Sequence, residues 1–340
     1  MLRSTSPEKS PSSSKTPARD NRSVQSYPAP YIVEPTSPHT NTAILLHGLG
    51  SNGRAFGPFF LTASVTSIDK DSPSSRPLDV LYPSMRWVFP SASLRRSTRF
   101  NRHKLFSWFD IFSIQDPSLR EETQIEGLVQ SSQYLRGLIC EEVQKLKDVW
   151  GGGDGVQKRI IFGGLSQGCA ISLATLLSLD SCLGGWVGMS GFMPMRGLFK
   201  EVLLADVQVG EDGIVFQDDE DEQDTSPAEA SRGNQSIPST QALNAFRQDI
   251  LSLPPLDDNA PADVLETPVF YGHGSHDEKV TCKLGNELVE MLREVNMNVR
   301  YQVYTGLGHW IEAPEEINDM ISVFRIEGAW PDHVDGETAP

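Results

Sequence analysis

The chain has 340 residues, 38% of them hydrophobic, enough to bury one large core and, by length alone, to allow two domains. Its formal net charge of −16 argues against nucleic acid or an anionic membrane as the main partner, because both attract basic surfaces. The four cysteines, Cys140, Cys169, Cys182 and Cys282, have neither CxxC nor metal-ligand spacing. The expectation is therefore free thiols, buried at Cys140 and Cys169, in a reducing compartment and without a metal.

In chain order, residues 1–38 are rich in Ser, Pro, Thr, Lys and Arg. They read as a disordered tail, and they lack the apolar stretch of a secretory signal. No run reaches the ~20 apolar residues of a membrane span, so a soluble, cytoplasmic protein is expected, a monomer or weak dimer. Order is expected over 39–330 as a single domain, with a short tail at 331–340. The apolar run 42–46 reads as a strand that ends in His47-Gly48-Leu49-Gly50. Residues 54–68 read as a helix, 69–79 as a loop and 86–90 as a second strand stopped by Pro90.

Over 121–149, Ile125, Leu128, Val129, Leu135, Leu138, Ile139, Val143, Leu146 and Val149 repeat at helical spacing on one face. Glu121 and Glu122 open this helix and Gly151 to Gly153 close it. A strand at 158–162, a helix at 169–179 and a strand at 184–190 follow. Residues 201–262 interrupt the pattern: 211–224 carry eight acidic residues and no basic one. That stretch reads as an acidic, partly disordered surface insertion with short helical pieces at 200–203 and 243–246. Strand 268–271, helix 280–295, strand 299–304 and a helix at 314–324 complete the chain. Alternating strands and helices imply right-handed crossovers and a mainly parallel sheet with helices on both faces.

The most informative stretch is Gly164-Leu165-Ser166-Gln167-Gly168, a Gly-x-Ser-x-Gly between a buried strand and a helix. A serine on so sharp a turn is held out as a nucleophile, and the flanking glycines let the turn close. Its hydroxyl needs a histidine to take the proton and a carboxylate to fix that histidine. In a parallel sheet these lie on loops leaving the carboxyl ends of later strands, in the order serine, acid, histidine. Asp277 is the first carboxylate after strand 268–271, and His309 sits in the glycine-flanked turn after strand 299–304. Asp277 also suits an Asx turn or helix cap, and Glu278 is the alternative acid. His273 and His276 could suggest a base or a metal pair, but further ligands do not follow; His273 is expected to hydrogen-bond within its own loop. The backbone N–H groups of Gln167 and Leu49 are the candidate oxyanion donors, with His47 bracing the loop.

Several motifs besides the serine turn are similar to the phospholipase/carboxylesterase family, whose members include acyl-protein thioesterases. They are Leu46-His47-Gly48-Leu49-Gly50, Phe89-Pro90-Ser91-Ala92, Ser107-Trp108-Phe109-Asp110, Met189-Ser190-Gly191-Phe192, Gly272-His273-Gly274 with Asp277, and Gly306-Leu307-Gly308-His309. The resemblance runs from about residue 42 to 325. It implies an α/β-hydrolase fold and cofactor-free serine hydrolysis of carboxylic esters or thioesters, with S-acylated proteins among the candidate substrates. A carboxylesterase or lysophospholipase acting on small or lipid esters is the alternative, and a non-catalytic binding protein of the same fold a remoter one. Trp108, Phe109 and Phe56 are candidates for the acyl-binding wall. The chain departs from the family pattern at Ser51, where Asp is usual, at Cys169, where glycine is usual, and in its long insertion.

Overall fold

In the computed structural model the described residues are 25–63, 65, 76–153, 155–211, 237–257 and 262–331. Their centre is a seven-stranded sheet in the order β1-β3-β2-β6-β7-β8-β9. The strands are β1 (Tyr31–Val33), β2 (Asn41–Leu46), β3 (Met85–Phe89), β6 (Ile160–Leu165), β7 (Gly185–Met189), β8 (Val269–Gly274) and β9 (Val299–Tyr304). Only β1 runs antiparallel. Two more strands, β4 (Leu94–Arg96) and β5 (Lys104–Phe106), pair as a separate hairpin that the sequence reading missed.

Strands β2, β3, β6, β7 and β8 are buried along their whole length because they are covered on both faces. Ile44, Leu46, Val88, Val269 and Tyr271 enter one core. Their neighbours Ala43, Leu45, Trp87, Phe89 and Phe270 enter the other, as the period of two requires. Helices α3 (Glu122–Trp150), α4 (Gln167–Leu176) and α7 (Cys282–Glu294) close the first face. Helices α1 (Gly53–Leu61) and α8 (Glu315–Ile326) close the second, with Phe56, Phe60, Ile317, Met320 and Phe324. The four-residue helix α2 (Leu78–Leu81) adds Leu78 to that second core; it begins at the end of the stretch 69–79 read as loop.

Several expectations need correction. The predicted tail contains β1, whose Tyr31 packs its ring 6.1 Å from Phe89; three residues between prolines carry too short a pattern to be read as a strand. Residues 1–24 and 332–340 lie outside the described residues. Lys158 and Arg159 belong to a 3-10 turn, and the strand before the serine starts at Ile160. On α3, Leu128, Leu135, Leu138, Ile139 and Leu146 are buried, but Val149 is exposed in the last turn, before Gly151. Cys140 is exposed on the other side of α3; Cys169 and Cys182 are buried, and all four thiols are free.

The expected short helical pieces are longer than read. They are α5 (Arg196–Glu211) and α6 (Ile237–Ala245), the latter running into a π-helical turn at Phe246–Ile250. This part is not peripheral. Leu243 and Phe246 are buried in the main core, with the Phe246 ring 5.2 Å from that of Phe199. Buried Arg247 donates to the carbonyl of Ser178 at 2.6 Å and to Asp180 at 2.8 Å. Most of the acidic run, residues 212–224, lies outside the described residues.

Candidate active site

Ser166 sits between β6 and α4 with φ 60° and ψ −120°, a strained backbone for a non-glycine residue. The turn is bonded in place by the Ser166 N–H, which donates to the carbonyl of Met189 at 2.8 Å. A Cβ at 164 would lie 2.6 Å from the Leu46 carbonyl oxygen, and one at 168 would lie 2.5 Å from the same atom. Both positions therefore require glycine if β2 and the serine turn are to approach this closely.

The strand ends bring three predicted residues together. His309 Nε2 lies 2.9 Å from Ser166 Oγ, and His309 Nδ1 lies 2.7 Å from Asp277 Oδ2. The other oxygen of Asp277 accepts the backbone N–H groups of Lys279 and Val280, each at 2.9 Å. Asp277 thus forms an Asx turn and contacts His309 at once. Burial pushes its carboxyl upward, but hydrogen bonds from His273 and His309, the His309 charge and the Val280 N–H outweigh that and hold it well below the usual carboxylate range. Glu278 is exposed, and the carboxylate on His309 Nδ1 is that of Asp277.

His273 is fully buried on β8 rather than confined to its loop. Its Nε2 lies 2.9 Å from the Val280 carbonyl oxygen and 3.4 Å from Asp277 Oδ2, and its Nδ1 lies 2.7 Å from the Tyr271 hydroxyl. Because a carbonyl only accepts, Nε2 carries a proton. His276 bonds to Ser275 Oγ at 2.8 Å and is exposed. Among the described residues no group of three or more His, Cys, Asp or Glu is placed to hold a metal.

The loop after β2 lies against the serine: a Cβ at 48 would be 3.2 Å from Ser166 Cβ. The buried ring of His47 accepts the Ala92 N–H at 3.0 Å, so its Nδ1 donates to the Gly48 carbonyl at 2.7 Å. Burial lowers its pKa to about 4, keeping the imidazole neutral in this bracing role. Gln167 opens α4, so its N–H has no intrahelical partner.

The Gln167 side chain does something the sequence reading did not assign. Its amide oxygen accepts the Trp108 N–H at 3.0 Å and its amide nitrogen donates to the Phe109 carbonyl at 2.8 Å. Trp108 Nε1 in turn donates to the His47 carbonyl at 2.9 Å. The Ser-Gln-Gly and Trp-Phe motifs are therefore two halves of one clamp. The signal for it was present: a glutamine with all-apolar helical neighbours needs partners.

A cavity of about 520 Å³ opens beside Ser166 and His309. Phe56 lines it. Trp108 and Phe109 do not: both are fully buried in the core, with Phe109 edge-on to Phe192. Leu49, Phe100, Leu105, Ile114, Leu165 and Trp310 supply the rest of the apolar wall. Leu105 was overlooked because it belongs to the unanticipated hairpin. A hydroxyl in contact with an imidazole that a carboxylate orients can attack an acyl carbonyl, and the cavity gives an apolar acyl group somewhere to lie.

The phospholipase/carboxylesterase family model matches residues 28–210, more than half of the chain. A model of the prolyl oligopeptidase family matches residues 156–324. Acyl-protein thioesterase 1 of Debaryomyces hansenii is 26% identical over 299 residues, spanning 88% of this chain and 96% of the relative. Acyl-protein thioesterase 1 of Candida albicans is 25% identical over 283 residues, spanning 83% and 90%. The crystal structure of acyl-protein thioesterase 2 from Zea mays superposes with a TM-score of 0.53 at 19% identity, over 88% of this chain and 99% of that one. At that identity the structural likeness is one of fold.

Proposed function

The chain belongs to the phospholipase/carboxylesterase family, serine hydrolases of carboxylic esters and thioesters, and from that premise we propose that it removes acyl groups from S-acylated proteins in the cytoplasm. The observation that carries the reading is the hydrogen-bonded array Ser166–His309–Asp277 opening into a largely apolar cavity. The relatives named acyl-protein thioesterase support the substrate class. The free thiols support a reducing compartment, and no described helix is long and apolar enough to cross a membrane.

In this reading Ser166 Oγ attacks the acyl carbonyl carbon as His309 Nε2 takes its proton. Asp277 holds the imidazole in the tautomer that leaves Nε2 free, and offsets the charge the ring acquires. The carbonyl oxygen, now an oxyanion, accepts the N–H groups of Leu49 and Gln167. Its collapse breaks the bond to the leaving thiolate or alkoxide, which His309 protonates. The acyl-serine is then opened by a water that gives its proton to His309, releasing the carboxylic acid and restoring Ser166. Phe56, Leu105 and Ile114 lie along the acyl chain.

Fluorophosphonate labelling and an acyl-chain-length profile test the reading. Wild type should label, and Ser166→Ala should not, with kcat lower by on the order of 10⁴-fold or more. Thioesters of 14 to 16 carbons should be turned over at least as well as short ones. Rates falling steadily with chain length would assign the enzyme to small esters instead.

A further inference from the structure

We propose that the catalytic cavity selects esters or thioesters that carry an anionic substituent, and that Arg99 and Lys279 hold that substituent. The inference rests on the catalytic reading above and specifies its substrate. Its starting point is a mismatch of charge: the chain is formally −16, yet among the described residues no Asp or Glu lines the cavity beside Ser166. The lining side chains of fixed charge are Arg99 and Lys279, both positive.

These two cations are not occupied by the fold. Elsewhere, Arg86 pairs with Glu34 and Glu142, Lys145 with Glu142, Arg196 with Glu287 and Arg247 with Asp180. Among the described residues neither Arg99 nor Lys279 is in an ion pair. Arg99 is positioned nonetheless. Its Nη1 donates to Gln115 Oε1 at 3.2 Å, and its guanidinium carbon lies 5.7 Å from the centre of the Phe100 ring. One of its five N–H donors is thereby used, leaving others for a ligand. Lys279 follows Asp277, and its backbone N–H is bonded to that carboxylate at 2.9 Å, which fixes where its side chain starts.

The two residues stand on different loops, one from the β4–β5 hairpin and one from the loop after β8. The hairpin extends the same polarity. Residues 94–106 include Arg95, Arg96, Arg99, Arg102 and Lys104 and contain no Asp or Glu. Two cations without acidic partners, on a chain of net negative charge, draw anions toward this cavity. With Leu49, Leu105 and Ile114 beside it, the site suits an amphipathic ligand: an apolar acyl chain and an anionic group, carboxylate or phosphate, within one side chain's reach.

Matched pairs of substrates differing in that charge test the proposal and locate the anion. On the acyl side, the p-nitrophenyl ester of hexanoic acid is compared with the p-nitrophenyl monoester of adipic acid. On the leaving-group side, hexanoyl-pantetheine is compared with hexanoyl-4′-phosphopantetheine. In at least one pair the anionic member should have a kcat/KM about tenfold or more above the neutral one, chiefly through KM. That ratio should shrink with added salt and fall toward one in Arg99→Gln/Lys279→Gln. Lys279→Glu, a reversal at an exposed position, should invert it. Preference for the neutral member in both pairs, or a ratio that survives both variants, overturns the proposal. If neutral esters are hydrolysed and Ser166→Ala abolishes that, only the charge selection has failed. If neither neutral nor anionic esters react, the catalytic reading has failed too.

Discussion

Asp277 and Glu316 are both almost fully buried, and both lean on β8, yet their proton affinities diverge. Glu316, in the first turn of α8, is pushed up to about 8, mainly by burial and then by the neighbouring charges of Glu312 and Asp319. A backbone N–H, from Glu312, reaches it at 2.8 Å. Asp277 meets the same upward push from burial but has two imidazoles and two backbone N–H groups around it, and stays ionised. Burial alone therefore does not decide the charge of a carboxyl group; the number of donors aimed at it does. One face of β8 is built to keep a charge, at His273, and the other to suppress one, at Gly272.

The largest expected effect comes from removing the charge where it is kept. In Asp277→Asn the amide oxygen would still be drawn to the N–H groups of Lys279 and Val280. Its NH₂ would then face His309 Nδ1, which could only accept. The ring proton would move to Nε2, facing Ser166, and the imidazole could no longer take the serine proton. We expect kcat to fall by on the order of 10³- to 10⁴-fold with KM little changed. Steady-state rates on a soluble thioester measure this. A loss under tenfold would transfer the acid's role to Glu278.

The fates of these two carboxylates in the sequence reading also mark what a sequence can carry. The meeting of Asp277 with His309 and Ser166 was legible because such an array is tied to order along the chain and to strand ends, and the same holds for the parallel sheet. Glu316 drew no attention, because nothing in its own turn of α8 says that Gly272, 44 positions earlier, will lie against it. Trp108 and Phe109 were misplaced for the same reason. Their apolar character suits a core and a pocket equally, and the bonds of Gln167 decide between them. The β4–β5 hairpin escaped notice because three-residue strands leave no measurable period, and with it went Arg99 and Leu105.

Glu316 gives the second test. Its folded pKa of about 8 lies above an unfolded value near ~4.3, so the native state binds the proton more tightly. The stability this contributes is complete below pH ~4.3 and is lost as pH rises through about 8. Between pH 5.5 and 8.5 the wild type should lose on the order of a few kcal/mol through this group, whereas Glu316→Gln should show a flatter profile. Urea unfolding of both proteins at the two pH values measures the difference. Parallel pH dependences would show that Glu316 titrates normally, and the contrast with Asp277 would collapse.

The smallest effect tests whether the two faces of β8 are mechanically separate. A Cβ at 272 would lie 2.1 Å from Glu316 Oε1 and 2.8 Å from its Cδ, so the crowding at this glycine comes from that side chain. Glu316 cannot readily swing aside, because its other oxygen holds the Glu312 N–H. Gly272→Ala should therefore cost about 1–3 kcal/mol as overpacking, and much less in a Glu316→Ala background. Urea unfolding of the four proteins in the cycle gives the coupling, which should be at least about 1 kcal/mol. The same four proteins report on function. Gly272 also accepts the Ser190 N–H at 2.9 Å, one residue beyond the Met189 carbonyl that bonds Ser166. If kcat follows stability around the cycle, the carboxyl-suppressing face of β8 helps to place Ser166. An unchanged kcat would mean that the strand carries two independent electrostatic designs. Equal costs of Gly272→Ala in both backgrounds would instead show that the sheet's own packing, and not the Glu316 carboxyl, forbids a side chain there.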